Sequence, residues 1–286
     1  MDGPRLPRRF LPRSRPRLPG LSFSTLIPNL LTLIGLVAGL TAIRFGLEGR
    51  FGAAVAAITV AGFLDGLDGR IARLLKGTSR FGAEFDSLTD FCCFGIAPAL
   101  LVYMWSLQGQ RGFGYVPCVL FAVCMGLRLA RFNATLDSEK TPAYAYNFFT
   151  GVPAPAGAAL ALLPMLVGLE ARQQGLGIVY VAASFPLVSA ICLVVTAGLL
   201  VSTLPVWSFK NFRIPSQFVL PTLLCTGAFA ALLVADPWAG LALAAITYAV
   251  SLPFGVRSFR RLRREATARR AEIAAYQAGA AADERM

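Results

Sequence analysis

Residues 63–95 read FLDGLDGRIARLLKGTSRFGAEFDSLTDFCCFG, and all five acids of the chain's apolar segments fall inside this one stretch. Four of them keep a strict spacing. Asp65, Asp68, Asp86 and Asp90 are written D-x2-D-G-x2-A-R-x8-G-x3-D-x3-D, with Gly69, Ala72, Arg73 and Gly82 as the intervening named positions. A carboxylate near the centre of a bilayer costs roughly 2.5–3.5 kcal/mol on insertion scales, so four of them require a neutralising partner. Clustered Asp oxygens without His or Cys point to hard divalent cations, Mg2+ or Mn2+. Four carboxylates carry the charge that two such cations balance.

The surrounding chain is as apolar as this stretch demands. Of 286 residues, 56% are hydrophobic and 15% are charged, with a mean hydropathy of +0.63. A soluble domain of this size carries about 25% charged residues. Repeated apolar runs of about 20 residues predict an all-α, polytopic helical membrane protein. We expect eight spans, at about 27–46, 51–74, 80–105, 113–132, 148–169, 177–205, 218–235 and 239–257. Pro186 interrupts the long sixth run and predicts a tilt or kink there. The first run is too long for a signal-peptide core and reads as a retained helix.

Charge orients these spans. With the N-terminus in the cytoplasm, 23 of the 27 Lys and Arg fall on the cytoplasmic side. That is a positive-inside pattern with both termini cytoplasmic, which requires an even number of spans. Residues 1–20, rich in Pro and Arg, predict an extended basic arm, residues 21–257 the transmembrane domain, and 258–286 a basic cytoplasmic tail for anionic headgroups. This distribution accounts for the net charge of +12 without nucleic acid. The absence of His excludes histidine acid–base chemistry and His-ligated zinc. The six Cys lie in apolar segments without a C-x2-C pair and read as small buried hydrophobes.

At 100° per residue, Asp65, Asp68, Gly69, Ala72 and Arg73 share one face of the second span, near its cytoplasmic end. Gly82, Asp86 and Asp90 share one face of the third, and Glu84 points away from it. A basic turn at about 75–79 makes the two spans antiparallel, so the acidic faces meet just inside the cytoplasmic boundary. Paired cations are the usual clamp for displacement at phosphorus. Gly69 and Gly82 leave room for a phosphate or nucleotide, and Arg73 offers a planar cationic fork.

The spacing motif resembles that of the CDP-alcohol phosphatidyltransferase family and matches it at every position. The resemblance implies a metal-dependent enzyme in which an alcohol displaces CMP from a CDP-linked lipid. By position it implies that Asp65, Asp68 and Asp86 bind the metals, and that Asp90 is the general base, with metal contact as well. It places Gly69, Ala72, Arg73 and Gly82 at the CDP site, with Asn29 of IPNLLT near the nucleotide. The runs FGAEFDSLTDFCCFGIAPALL, GLRLARFNAT and FFTGVPAPAGAAL resemble the phosphatidylserine synthase branch, except that Cys93 stands where that branch commonly has Ser. The implied substrates are CDP-diacylglycerol and L-serine, at the inner face of the cell membrane, in a homodimer.

Arg128 and Arg131 are the only charges of the fourth span. They either snorkel to headgroups or hold an anion, the serine carboxylate or a lipid phosphate. Asn133 and the small residues of GVPAPAG would shape the same cavity. An acceptor such as glycerol 3-phosphate or inositol phosphate keeps the chemistry but calls for a denser basic pocket. An ion or proton transporter predicts acids spread across membrane depth or paired repeats. Here the acids cluster at one end.

Overall fold

The computed structural model describes residues 23–136, 148–207 and 216–259. The expected basic arm, and the tail beyond residue 259, lie outside the described residues. Four long helices come first: α1 (Phe23–Leu47), α2 (Phe51–Leu74), α3 (Arg80–Gln110) and α4 (Arg111–Leu136). Two bent pairs follow, α5 (Ala154–Ala161) with α6 (Leu163–Gln173), and α7 (Gly177–Ala183) with α8 (Pro186–Val201). The chain closes with α9 (Val219–Ala235) and α10 (Pro237–Phe259).

Five of these helices are long and apolar enough to cross a membrane, or seven if each bent pair is one span. The remaining expected span is α9. Its 17 residues rise about 25 Å, against a hydrocarbon core of about 30 Å. The α7–α8 pair bends by 51° at the break before Pro186, where the kink was expected. The α5–α6 pair bends by 49° at Leu162, which the sequence reading treats as one continuous span. Pro164 in the first turn of α6 supplies no backbone N–H, so the ladder restarts there.

Two departures from plain helix matter. Phe91–Ile96 and Tyr103–Leu107 are π turns within α3, so the helix underwinds twice along its length. A three-residue antiparallel ribbon pairs β1 (Phe148–Thr150) with β2 (Pro205–Trp207), Phe149 facing Val206. It ties the chain entering α5 to the chain leaving α8.

The core gathers around α1 to α6 and α8, with Phe94, Phe121, Met125, Met165, Leu193 and Leu200 among its fully enclosed side chains. The outward faces are apolar as well: Leu30, Leu40, Val60, Val123 and Ile191 are all exposed. That is the pattern of a bundle solvated by lipid rather than water. α1 packs along α2 and also against the first half of α3. Close approach is set by Gly39, where a Cβ would collide with the Cys93 sulfur, and by Gly35, whose carbonyl lies 3.5 Å from that sulfur. Small residues one turn apart let backbones approach in this way.

Candidate active site

The turn between α2 and α3 is built first, because it aims both acidic helices. α2 ends in a Schellman pattern: Gly77 N–H donates to Ala72 O at 3.0 Å and Lys76 N–H to Arg73 O at 3.3 Å. Lys76 takes the left-handed position of that motif, with φ 51°. Gly77 cannot carry a side chain there, because a Cβ would collide with the Ser24 carbonyl at the start of α1. Ser79 then caps α3, its Oγ accepting from Gly82 N–H at 3.0 Å.

Three carboxylates converge below this turn. Asp65, Asp68 and Asp86 each offer an oxygen, and these oxygens lie within 4.8 Å of one another. Asp68 is buried, at 4% exposure, and Asp65 and Asp86 are half-buried. Asp90 stands one turn beyond Asp86, where α3 passes into its first π turn, and it lies outside this three-oxygen group. It lines the same small inner cavity as the other three, together with Thr32, Thr89 and Cys93. Cys93, at the position where Ser is usual, is fully buried against α1. The Thr89 hydroxyl is buried there without a hydrogen-bond partner among the described residues.

A larger cavity of about 160 Å3 opens beside the cluster. Asn29, Gly69, Ala72 and Gly82 all line it, with Asp68 and Asp86 at its edge. The two glycines differ. A Cβ on Gly69 would meet only open space, whereas one on Gly82 would sit 2.8 Å from the Asn29 amide oxygen. Gly82 thus admits Asn29 to the cavity wall, and Gly69 leaves the cavity itself open. Arg73 is exposed and folds back along its own helix, Nε donating to Gly69 O at 3.0 Å. Glu84 is exposed and lines neither cavity.

The two arginines of α4 have different surroundings. Arg131 donates to Val201 O at 2.8 Å and Ser202 O at 3.2 Å, so its guanidinium caps the C-terminus of α8. Arg128 donates from Nε to Val152 O at 2.6 Å. Its two terminal amino groups have no protein hydrogen bond among the described residues. Its charge and those of Asp90 and Asp65 attract one another. Asn133 is engaged with α3, donating to Ser87 Oγ at 3.0 Å.

Motif reading missed Thr32, Gly77, Thr78 and Ser79 as part of this site. Gly77 through Ser79 fell inside the turn, where composition signals only a connection. Thr32 sits among apolar residues of α1 at ordinary helical spacing, so no local signal marks it.

The donor set fits a hard cation: three carboxylates of opposed helices, no thiolate or imidazole, and an adjoining cavity large enough to bring further oxygens. At separations under 5 Å, each pair of bare carboxylates would repel by about 3 kcal/mol even at an effective dielectric of 20. A divalent ion removes that repulsion.

Comparison with known proteins adds the chemical class. A family model described as CDP-alcohol phosphatidyltransferase matches residues 25–185, and one described as CDP-alcohol phosphatidyltransferase 2 matches residues 217–253. The chain is 40% identical over 235 residues to a CDP-diacylglycerol–serine O-phosphatidyltransferase of Mycobacterium tuberculosis (strain ATCC 25618 / H37Rv), covering 82% of this chain and 79% of that protein. It is 38% identical over 247 residues to the protein of the same name from Mycobacterium leprae (strain TN), covering 86% and 80%. A Helicobacter pylori (strain ATCC 700392 / 26695) protein of that name is 38% identical over 142 residues, covering 50% and 58%.

Proposed function

The chain belongs to the CDP-alcohol phosphatidyltransferase family, and from that premise we propose that it transfers the phosphatidyl group of CDP-diacylglycerol to L-serine, giving phosphatidylserine and CMP. The observation that carries the serine assignment is the extent of similarity to proteins named for that reaction, about four-fifths of both chains. The site geometry supports the chemistry. CMP release by purified protein, compared across L-serine, glycerol 3-phosphate and inositol phosphate, tests the acceptor.

In the proposed reaction, the serine hydroxyl oxygen bonds to the phosphorus that carries diacylglycerol. The bond from that phosphorus to the CMP oxygen breaks, and its electron pair leaves with CMP. Asp90 accepts the serine hydroxyl proton, being the carboxylate of the cavity that stands apart from the three-oxygen group. Asp65, Asp68 and Asp86, with contact from Asp90, would hold Mg2+ or Mn2+, two ions in our reading, which neutralise diphosphate charge when bound. The cavity lined by Asn29, Gly69, Ala72 and Gly82 receives the CDP moiety, and the family resemblance assigns Arg73, whose Nε donates to Gly69 O, to the same moiety.

Arg128 is the residue we assign to the serine carboxylate, because its terminal amino groups make no hydrogen bond among the described residues while Arg131 is engaged with α8. A lysine keeps the charge but loses the fork. Arg128→Lys is expected to raise the serine KM about 10–100-fold, the effect of 1.5–3 kcal/mol from one hydrogen bond to a charged group, with a smaller change in the CDP-lipid KM. Ethanolamine, which lacks the carboxylate, should be a poor acceptor. A rise confined to the CDP-lipid KM would reassign Arg128 to the lipid phosphate.

The same proposal places the protein in the cell membrane with eight spans, both termini and the active site facing the cytoplasm. Single cysteines at Lys76→Cys and Gln108→Cys, in a background without the six native cysteines, separate the two faces. An impermeant thiol reagent on intact cells is expected to label Gln108→Cys and to spare Lys76→Cys until the membrane is opened. Labelling of Lys76→Cys on intact cells would invert the topology. The homodimer implied by family resemblance belongs to this proposal too, and the mass of the purified protein in detergent tests it.

A further inference from the structure

Thr32 lies on α1, away from the helices that carry the acids, yet its hydroxyl donates to Asp68 Oδ2 at 2.6 Å. The same oxygen is 3.1 Å from Pro28 O, four residues back in its own helix. A hydroxyl has one proton to give. The contact to the carboxylate falls in the range of charge-assisted O–H···O⁻ bonds, about 2.5–2.7 Å, while the other is the ordinary back-bond of a helical threonine. The proton therefore belongs on the Asp68 side. Both partners are buried, Thr32 at 6% and Asp68 at 4% exposure, so water does not compete for the bond.

We propose that Thr32 is a positioning residue for the cation site, holding Asp68 by one oxygen so that the carboxylate stays aimed at Asp65 and Asp86. The bond takes up Oδ2. The anchor is rigid because α1 is pinned on the same face by Gly35 and Gly39 against α2 and Cys93. Outer hydrogen bonds of this kind orient metal-binding side chains, and their loss typically costs 10–100-fold in affinity. This inference rests on the reading that the Asp cluster holds a divalent cation.

The test compares purified wild type, Thr32→Val and Thr32→Ser in detergent. Mn2+ binding is read by electron paramagnetic resonance without CDP-lipid, followed by kcat and both KM values. Thr32→Val, which keeps shape and removes the hydroxyl, is expected to raise the Mn2+ dissociation constant 10–100-fold. Thr32→Ser restores it. Excess Mn2+ should recover the turnover of Thr32→Val. If Thr32→Val fails to fold, Thr32→Ala carries the same comparison. Unchanged Mn2+ affinity with a raised CDP-lipid KM would overturn the proposal, because the hydroxyl would then serve the larger cavity that Thr32 also borders. Equal loss in Thr32→Ser and Thr32→Val would overturn it too, since the methyl and not the hydroxyl would matter. Wild type that binds no Mn2+ would bring down the cation reading itself, a result distinct from a silent Thr32→Val.

Discussion

Asp86→Asn is expected to abolish Mn2+ binding and CMP release together, with turnover falling about a thousandfold or more. The substitution is nearly isosteric, so packing between α1, α2 and α3 is preserved and only charge is lost. Asp65, Asp68 and Asp86 present oxygens within 4.8 Å of one another. Removing one charge from such a group withdraws a ligand and about a third of the attraction for the ion. Charge stabilisation by a bound cation supplies several kcal/mol in phosphoryl chemistry, and about 4 kcal/mol corresponds to a factor of a thousand. Asp65→Asn and Asp68→Asn should behave alike. Glu84→Gln removes a charge from the same helix but from an exposed position, and should leave both readouts unchanged. Purified enzyme that keeps full activity in excess chelator would sink the metal assignment.

Asp90→Asn separates chemistry from binding. An amide fills the same space but accepts no proton from the serine hydroxyl, so kcat should drop about 10²–10⁴-fold. The KM for CDP-diacylglycerol should change far less, because the cavity that receives the nucleotide is lined by Asn29, Gly69, Ala72 and Gly82 and not by Asp90. Single-turnover kinetics at saturating lipid and serine measure this directly. Near-normal turnover with weakened lipid binding would move Asp90 from base to ligand. Arg128 provides a second reading of the same site: its charge acts on Asp90, so Arg128→Gln, which removes that charge, and Asp90→Asn should not combine additively.

Much of the site was legible because its information is local. The spacing of Asp65 and Asp68 on one helix, and of Gly82, Asp86 and Asp90 on the next, follows from 3.6 residues per turn and needs no knowledge of neighbours. The exclusion of Glu84 follows from the same period. Pro186 marked its own break, since a missing N–H acts wherever proline stands. Pro164 carried the same signal and was read through, because the apolar run around it continued without a polar interruption.

The residue types and their period determined the membrane-helix class and the acids that could share a face, and resemblance to a known family supplied the family and the cavity residues Asn29, Gly69, Ala72 and Gly82. Tertiary structure alone decided that α1 packs against both acidic helices, that Thr32 reaches Asp68, that Gly77 is wedged under Ser24, and that Arg131 caps the C-terminus of α8 while Arg128 donates to Val152 O. The hydrogen bonds among them join residues 24 to 71 positions apart, which no local period encodes. The π turn that follows Asp90 belongs with them: nothing in FCCFGI demands an extra residue per turn, and the packing of Cys93 into α1 and of Phe91 against α4 accompanies it. Helical periodicity says which side chains point together. Only the packed bundle says what they point at.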